Sequence, residues 1–196
     1  MTNNACEAYP GDTVGEVLNK SMASGAFKFL PNVVLVHLGT NDCIPDLEDG
    51  STTAAETFAA LLATIKLKNP TALVVASTLI KNLAAGVEDR IVKFNSLLPS
   101  VVHQARRGGQ NVTLVEMHSA VPTSDINTTD YTHPTDAGYV IMARVWYHGL
   151  LNASSMIMPP DVHGKAVPKS PSKASKADLY TAVWILVPLA IWTLIS

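Results

Sequence analysis

The sequence predicts an α/β domain in which a parallel sheet is covered by helices on both faces. Short β-branched apolar runs recur at residues 32–38 ("NVVLVHL"), 72–78 ("ALVVAST") and 111–117 ("NVTLVEM"). Their apolar character is nearly continuous rather than alternating, as in strands buried on both faces. Segments with helical spacing separate them, and strands alternating with helices build a layered α/β domain.

Gly11 precedes a helical pattern through Val14, Val17 and Leu18, with Asp12 or Thr13 available to cap it. The first strand, 32–38, is bounded by Pro31 and Gly39. Residues 52–68 show helical spacing through Phe58, Leu61, Leu62 and Ile65, with Thr52 and Thr53 as N-caps and Pro70 beyond the end. The second strand follows at 72–78. Residues 87–105 repeat the helical spacing through Val87, Ile91, Phe94, Leu98, Val101 and Val102. After the third strand, residues 136–150 form the last helix, capped by Thr132 or Thr135, with Trp146 and Tyr147 expected to pack it.

Residues 163–178, "HGKAVPKSPSKASKAD", lack apolar periodicity and have the composition of a linker. The expected organisation is a domain over 1–152, a polar linker over 153–178 and an apolar segment over 179–196. From Leu179 to Ile195 the chain is uncharged and strongly apolar, close to the shortest helix that spans a bilayer. Three readings of it stand: a glycolipid-anchor signal removed on attachment, a retained transmembrane anchor flanked by four lysines, and a buried core helix.

At 196 residues and 47% hydrophobic content the chain can bury one sizeable core. A net charge of -2, with Lys and Arg in no stripe, sets up no field that would gather nucleic acid, and no nucleic-acid partner is expected. Two cysteines, Cys6 and Cys43, are too few for a disulfide scaffold and lack metal-ligand spacing, though one bridge is open to them. Acceptor triplets for N-glycosylation at Asn111, Asn127 and Asn152 point to a secretory route and an extracellular or cell-surface location. The first ten residues have neither the basic start nor the apolar stretch of a signal peptide.

Ligands of parallel α/β sheets bind just beyond the carboxyl ends of the strands. There "HLGTND" places Asn41, whose amide could stabilise a developing oxyanion or merely belong to a turn. In "DYTHPTDAGY", residues 130–139, His133 could take a proton from a hydroxyl while Asp130 orients the ring; ordinary loop residues are the alternative. In "AYPGDTVGEVLN" Gly11 lets a backbone N–H approach a ligand at a helix start, or serves the turn alone. His37, His103, His118, His148 and His163 are expected to be packing, surface or linker residues.

Taken in order, Gly11 in "PGDTV", Asn41 in "GTND" and Asp130 with His133 in "DYTHP" resemble the second, third and fifth sequence blocks of the SGNH hydrolases, the GDSL-type esterases and lipases. The forms "EAYPGDTV" and "GTNDC" look most like the fungal esterases of carbohydrate esterase family three. The resemblance covers about residues 7–150 and implies a flavodoxin-like three-layer α/β/α sandwich and ester hydrolysis through an acyl-enzyme. It implies His133 as general base and then acid, Asp130 as its orienting partner, and Gly11 N–H with the Asn41 amide as oxyanion donors. It implies no metal or organic cofactor, and a small ester or acetylated carbohydrate as substrate.

The same resemblance implies an earlier block, an apolar strand ending in Gly-Asp-Ser. Ten residues precede Gly11 and none is serine. Ser21, Ser24, Ser51, Ser77, Ser96 and Ser100 occupy helices, a loop and a strand end, so none is assigned as nucleophile. The chain is therefore expected to lack the first strand of the sheet, to leave backbone unpaired beside it, and to be inactive as it stands. A glycan- or ester-binding module that does no chemistry is the alternative function.

Overall fold

The structure, a computed structural model, describes residues 6–159 and 183–186. Its sheet is built from the three β-branched runs. Strands β1 (Val33–Val36), β2 (Leu73–Ser77) and β3 (Val112–Val115) lie parallel, with Val33 opposite Leu73 and Val74 opposite Val112. Every residue of β1 and β2 is buried, whereas β3 is fully buried only at Val112, because it forms the edge of the sheet.

A fourth strand, β4 (Val183–Leu186), pairs parallel with the other side of β1, Val183 opposite Val33, giving the order β3-β2-β1-β4. The backbone expected to be unpaired beside β1 thus has a partner over these residues. Residues 183–186 are extended, not part of the helix that an apolar run suggested. Short apolar runs are ambiguous between the two because periodicity does not separate them. The remainder of 179–196, and 160–178 of the linker, lie outside the described residues. Among the described residues no helix is long and apolar enough to cross a membrane.

Helices α1 (Val14–Ser24), α3 (Gly50–Lys68) and α4 (Val87–Arg107) cover one face of the sheet, and α5 (Asp136–Asn152) covers the other. The alternation of strand side chains makes the two cores. Val34, Val36, Val74 and Ala76 pack with Val14, Phe58, Leu61, Phe94 and Leu98, whereas Val33, Leu35, Leu73 and Val75 pack against Trp146 and Leu150. Phe58 and Phe94, both fully buried, meet edge to face with centroids 6.1 Å apart. The result is the expected three-layer α/β/α sandwich.

Local expectations at four places are decided by the structure. Helix α3 begins at Gly50 with Asp49 in the N-cap position, so Thr52 and Thr53 lie inside its first turn rather than capping it. Of the two candidates before α5, Thr135 is the cap, its hydroxyl accepting from Gly138 N–H. Trp146 packs into the core, but Tyr147 stays 60% exposed. No disulfide joins Cys6 to Cys43, which is fully buried.

At the start of α1 the choice falls on Thr13, which forms a full capping box with Glu16: Thr13 N–H donates to Glu16 Oε2 at 2.8 Å, and Glu16 N–H returns to the Thr13 hydroxyl. Thr13→Ala is expected to lower the unfolding free energy by about 1 kcal/mol in urea denaturation, since Thr13 satisfies backbone donors that the first turn leaves open.

Candidate active site

The predicted residues lie in loops at the carboxyl end of the sheet and in the turn that leads into α1. Tyr9, Pro10, Gly11 and Asp12 form a turn closed by Asp12 N–H to Tyr9 O at 3.4 Å. Gly11 has a φ of 78°, the left-handed value that the third position of such a Pro-Gly turn takes. Its N–H makes no hydrogen bond among the described residues, and nothing lies within 4 Å of where a Cβ would stand.

The strand-to-helix turn after β1 is brought against this segment. Gly39 leads into a one-turn helix, α2 (Thr40–Cys43), that carries Asn41. Asn41 Nδ2 donates to Asp12 O at 2.9 Å, and Asp42 Oδ2 accepts from Val14 N–H at 3.0 Å. The segment of Gly11 and Asp12 and the turn of Asn41 are thereby tied together, and one N–H of the Asn41 amide holds the junction while the other makes no hydrogen bond among the described residues. Burial pushes the Asp42 carboxyl above the usual range, with the Val14 N–H opposing it. The position of Gly39 is tight: its φ is 126°, and an added Cβ would stand 2.8 Å from the Phe94 ring.

The loop between β3 and α5 brings Asp130 and His133 together. Asp130 Oδ2 lies 2.9 Å from His133 Nδ1, while Asp130 Oδ1 accepts the backbone N–H groups of Thr132 and His133, both at 2.9 Å. A carboxylate that spans its own loop in this way is fixed toward the ring, and the three-residue spacing read in the sequence suffices for it. Burial pushes the Asp130 carboxyl up, but the backbone donors and the His133 ring outweigh it and hold it below the usual range. The pair is open to solvent, with side chains 42% and 35% exposed. His133 Nε2 has no hydrogen-bond partner among the described residues.

Beneath the loop, Ile80, Met117, Val121, Ile126 and Met142 form a small apolar cluster. Thr78 locks the ends of β2 and β3 together: its hydroxyl accepts from Met117 and His118 N–H and donates to Glu116 Oε1. The strand ends that carry the site loops are thereby held at one level.

Two histidines have partners that spacing did not reveal. His37 Nδ1 lies 2.8 Å from Ser77 Oγ, and both side chains are buried. Fully buried, Ser77 cannot meet an external ester. His118 Nε2 lies 2.8 Å from Glu88 Oε1 at the start of α4. The only trace of either pair in the sequence is a polar residue at a strand end, too common to be a signal. Among the glycosylation candidates Asn152 is exposed at the end of α5, whereas Asn111 and Asn127 are half-buried and Asn127 Oδ1 accepts Thr129 N–H. Among the described residues no group of three His, Cys, Asp or Glu could hold a metal ion.

A model of the GDSL-like lipase/acylhydrolase family matches residues 1–141. A multidomain esterase of Ruminococcus flavefaciens is 28% identical over 157 residues, 74% of this chain, and the chain spans 20% of that protein's length. A carbohydrate esterase of family 3 from Talaromyces cellulolyticus has the same fold, with a TM-score of 0.65 at 18% identity over 76% of this chain and 70% of that one. A family 3 carbohydrate esterase from Clostridium thermocellum also shares it, with a TM-score of 0.61 at 19% identity over 76% and 70% of the two chains.

Proposed function

Because the chain belongs to the GDSL-like lipase/acylhydrolase family, we propose that its domain is built for serine-type hydrolysis of a small ester, such as an acetyl group carried on a carbohydrate. The observation that carries this is the Asp130–His133 pair, with Nδ1 held at 2.9 Å and Nε2 unpartnered among the described residues. His133 takes the nucleophile's proton as general base and returns it to the leaving alcohol as general acid. Asp130 holds the tautomer with Nδ1–H and stabilises the imidazolium. Gly11 N–H and the free N–H of the Asn41 amide donate to the oxyanion of the tetrahedral intermediate, a role worth about 3 kcal/mol per donor in enzymes that use one. The substrate class is drawn from esterases that share the fold or sequence.

The nucleophile is not assigned to any serine of this chain, because among the described residues no serine hydrogen-bonds to the His133 ring. Ser51 Oγ donates to Arg90 O, Ser24 Oγ to Glu7 and Ser21 O, and Ser77 is sealed in the core. This favours a second reading, an ester- or glycan-binding module without turnover. The two are separated by p-nitrophenyl acetate hydrolysis and by calorimetric binding of acetylated xylo-oligosaccharide. The chain alone is expected to hydrolyse the ester below about 1 per second. The chain extended by a strand ending in Gly-Asp-Ser is expected to turn over, and His133→Ala to reduce that rate about 1,000-fold or more. Binding without turnover by the extended chain would leave the module reading. An extracellular or cell-surface location, with glycans on the Asn triplets, belongs to the same proposal, and a glycosidase mobility shift of the secreted protein tests it.

A further inference from the structure

The loop that carries Asp130 and His133 is half-open to solvent and contains Tyr131 at a φ of 63°, a left-handed value that an aromatic residue seldom takes. Most of its hydrogen bonds are its own: Tyr131 N–H to Asn127 O, Asn127 N–H to His133 O, and the two backbone donors on Asp130. Internal bonds shape a loop but do not orient it on the sheet. Among the described residues, two hydrogen bonds reach residues 127–133 from elsewhere, and both come from the segment after β2. Asn82 Nδ2 donates to Thr132 Oγ1 at 3.0 Å, and Leu83 N–H donates to Tyr131 O at 2.7 Å.

Asn82 is equipped to hold that contact. It is 3% exposed, and its Oδ1 accepts Ala84 N–H at 2.8 Å, which settles the amide orientation and turns Nδ2 toward Thr132. Its own N–H donates to Glu88 Oε2 at 2.8 Å, and the other oxygen of Glu88 lies against His118 Nε2. Helix α4 adds a clamp upstream, where Asn95 pairs both its amide atoms with the backbone of Leu79. The direction of the bonds matters at Thr132. Its hydroxyl accepts from Asn82 and donates to Asp130 O at 3.2 Å, so the amide reaches the backbone of the orienting carboxylate through one hydroxyl.

We propose that Asn82 is a positioning residue for the Asp130–His133 pair, acting through the hydroxyl of Thr132 and the neighbouring Leu83–Tyr131 bond. The proposal rests on the reading of that pair as the acid–base unit. Asn82 touches neither ring nor carboxylate; it holds the loop in the one placement where Asp130 Oδ2 meets Nδ1. An aspartate at this site would have the same shape but no donor, and would draw the Thr132 hydroxyl away from Asp130 O.

The test reads the imidazole directly on the full chain, without ester turnover. Nitrogen-15 correlation spectra of the His133 ring report its tautomer, with His133→Gln assigning the signals. The Nδ1–H form is expected to dominate in the parent chain and in Thr132→Ser. In Asn82→Asp and Thr132→Val the ring is expected to shift toward averaged nitrogen signals, while thermal unfolding shows both variants folded. Thr132→Val keeps the decision open where changes at buried Asn82 prevent folding. Unchanged ring signals in a folded Thr132→Val or Asn82→Asp chain would overturn the positioning role. A parent ring that is not in the Nδ1–H form would instead overturn the acid–base reading, so the two failures are told apart.

Discussion

Acidification from about pH 6.5 to about pH 4 is expected to cost the fold about 3 kcal/mol through one side chain, His37. Its ring is 5% exposed at the carboxyl end of β1, and burial pushes its pKa down to about 4, against a smaller upward pull from the Thr78 backbone. The sign follows from where the proton goes. Above about pH 6.5 neither folded nor unfolded His37 carries it, and this residue gives no pH slope. Between that value and about 4 the unfolded chain binds a proton that the folded chain refuses, so stability falls as pH falls. Asp42, whose carboxyl burial holds above the usual range, works the opposite way at the acid end of this window. Urea denaturation at about pH 7 and about pH 4.5 checks the slope, and His37→Gln, which keeps a polar partner for Ser77 Oγ, is expected to flatten it. A slope unchanged in His37→Gln would place the acid sensitivity elsewhere.

Gly39→Ala is expected to destabilise the domain by about 3 to 5 kcal/mol, because two independent costs add there. A φ of 126° is strained for any residue with a Cβ, and that atom would stand 2.8 Å from the Phe94 ring. Phe94 has no easy retreat: it is fully buried and meets Phe58 edge to face. Gly39→Ala combined with Phe94→Leu separates the terms, since the smaller side chain relieves the clash and leaves the backbone strain. The double variant is expected to lose less than the two single losses added together. Chemical denaturation of the four chains gives the result, and full additivity would rule out the contact. The same turn carries Asn41, so a folded Gly39→Ala chain also tests how far the amide depends on this backbone.

Much of the candidate site was legible because its signals are local. Three residues separate Asp130 from His133, and a tight loop lets one carboxylate oxygen cap the backbone while the other meets the ring. Gly11 follows proline in a turn, and Asn41 follows a strand-ending glycine; turn chemistry announces both. The boundaries were less legible. Thr52 and Thr53 looked like caps because their residue type favours the position, but α3 gains another turn at its start, from Gly50. Tyr147 looked like core by type and faces solvent by the rotation of α5.

The layered α/β architecture, the three β-branched strands, the helix order and the pairing of Asp130 with His133 were written in the linear chain. Each depends on periodicity or on contacts a few residues long, which a linear chain displays directly. Tertiary packing, by contrast, set Asn41 against Asp12 O, sealed His37 against Ser77, laid β4 beside β1 and brought Asn82 to Thr132 in the loop of His133. These partners stand 29, 40 and 50 residues apart for Asn41, His37 and Asn82, and their meeting depends on strand register and helix docking. Burial then multiplies the consequence, since a polar group removed from water is held by the few partners that packing brings to it.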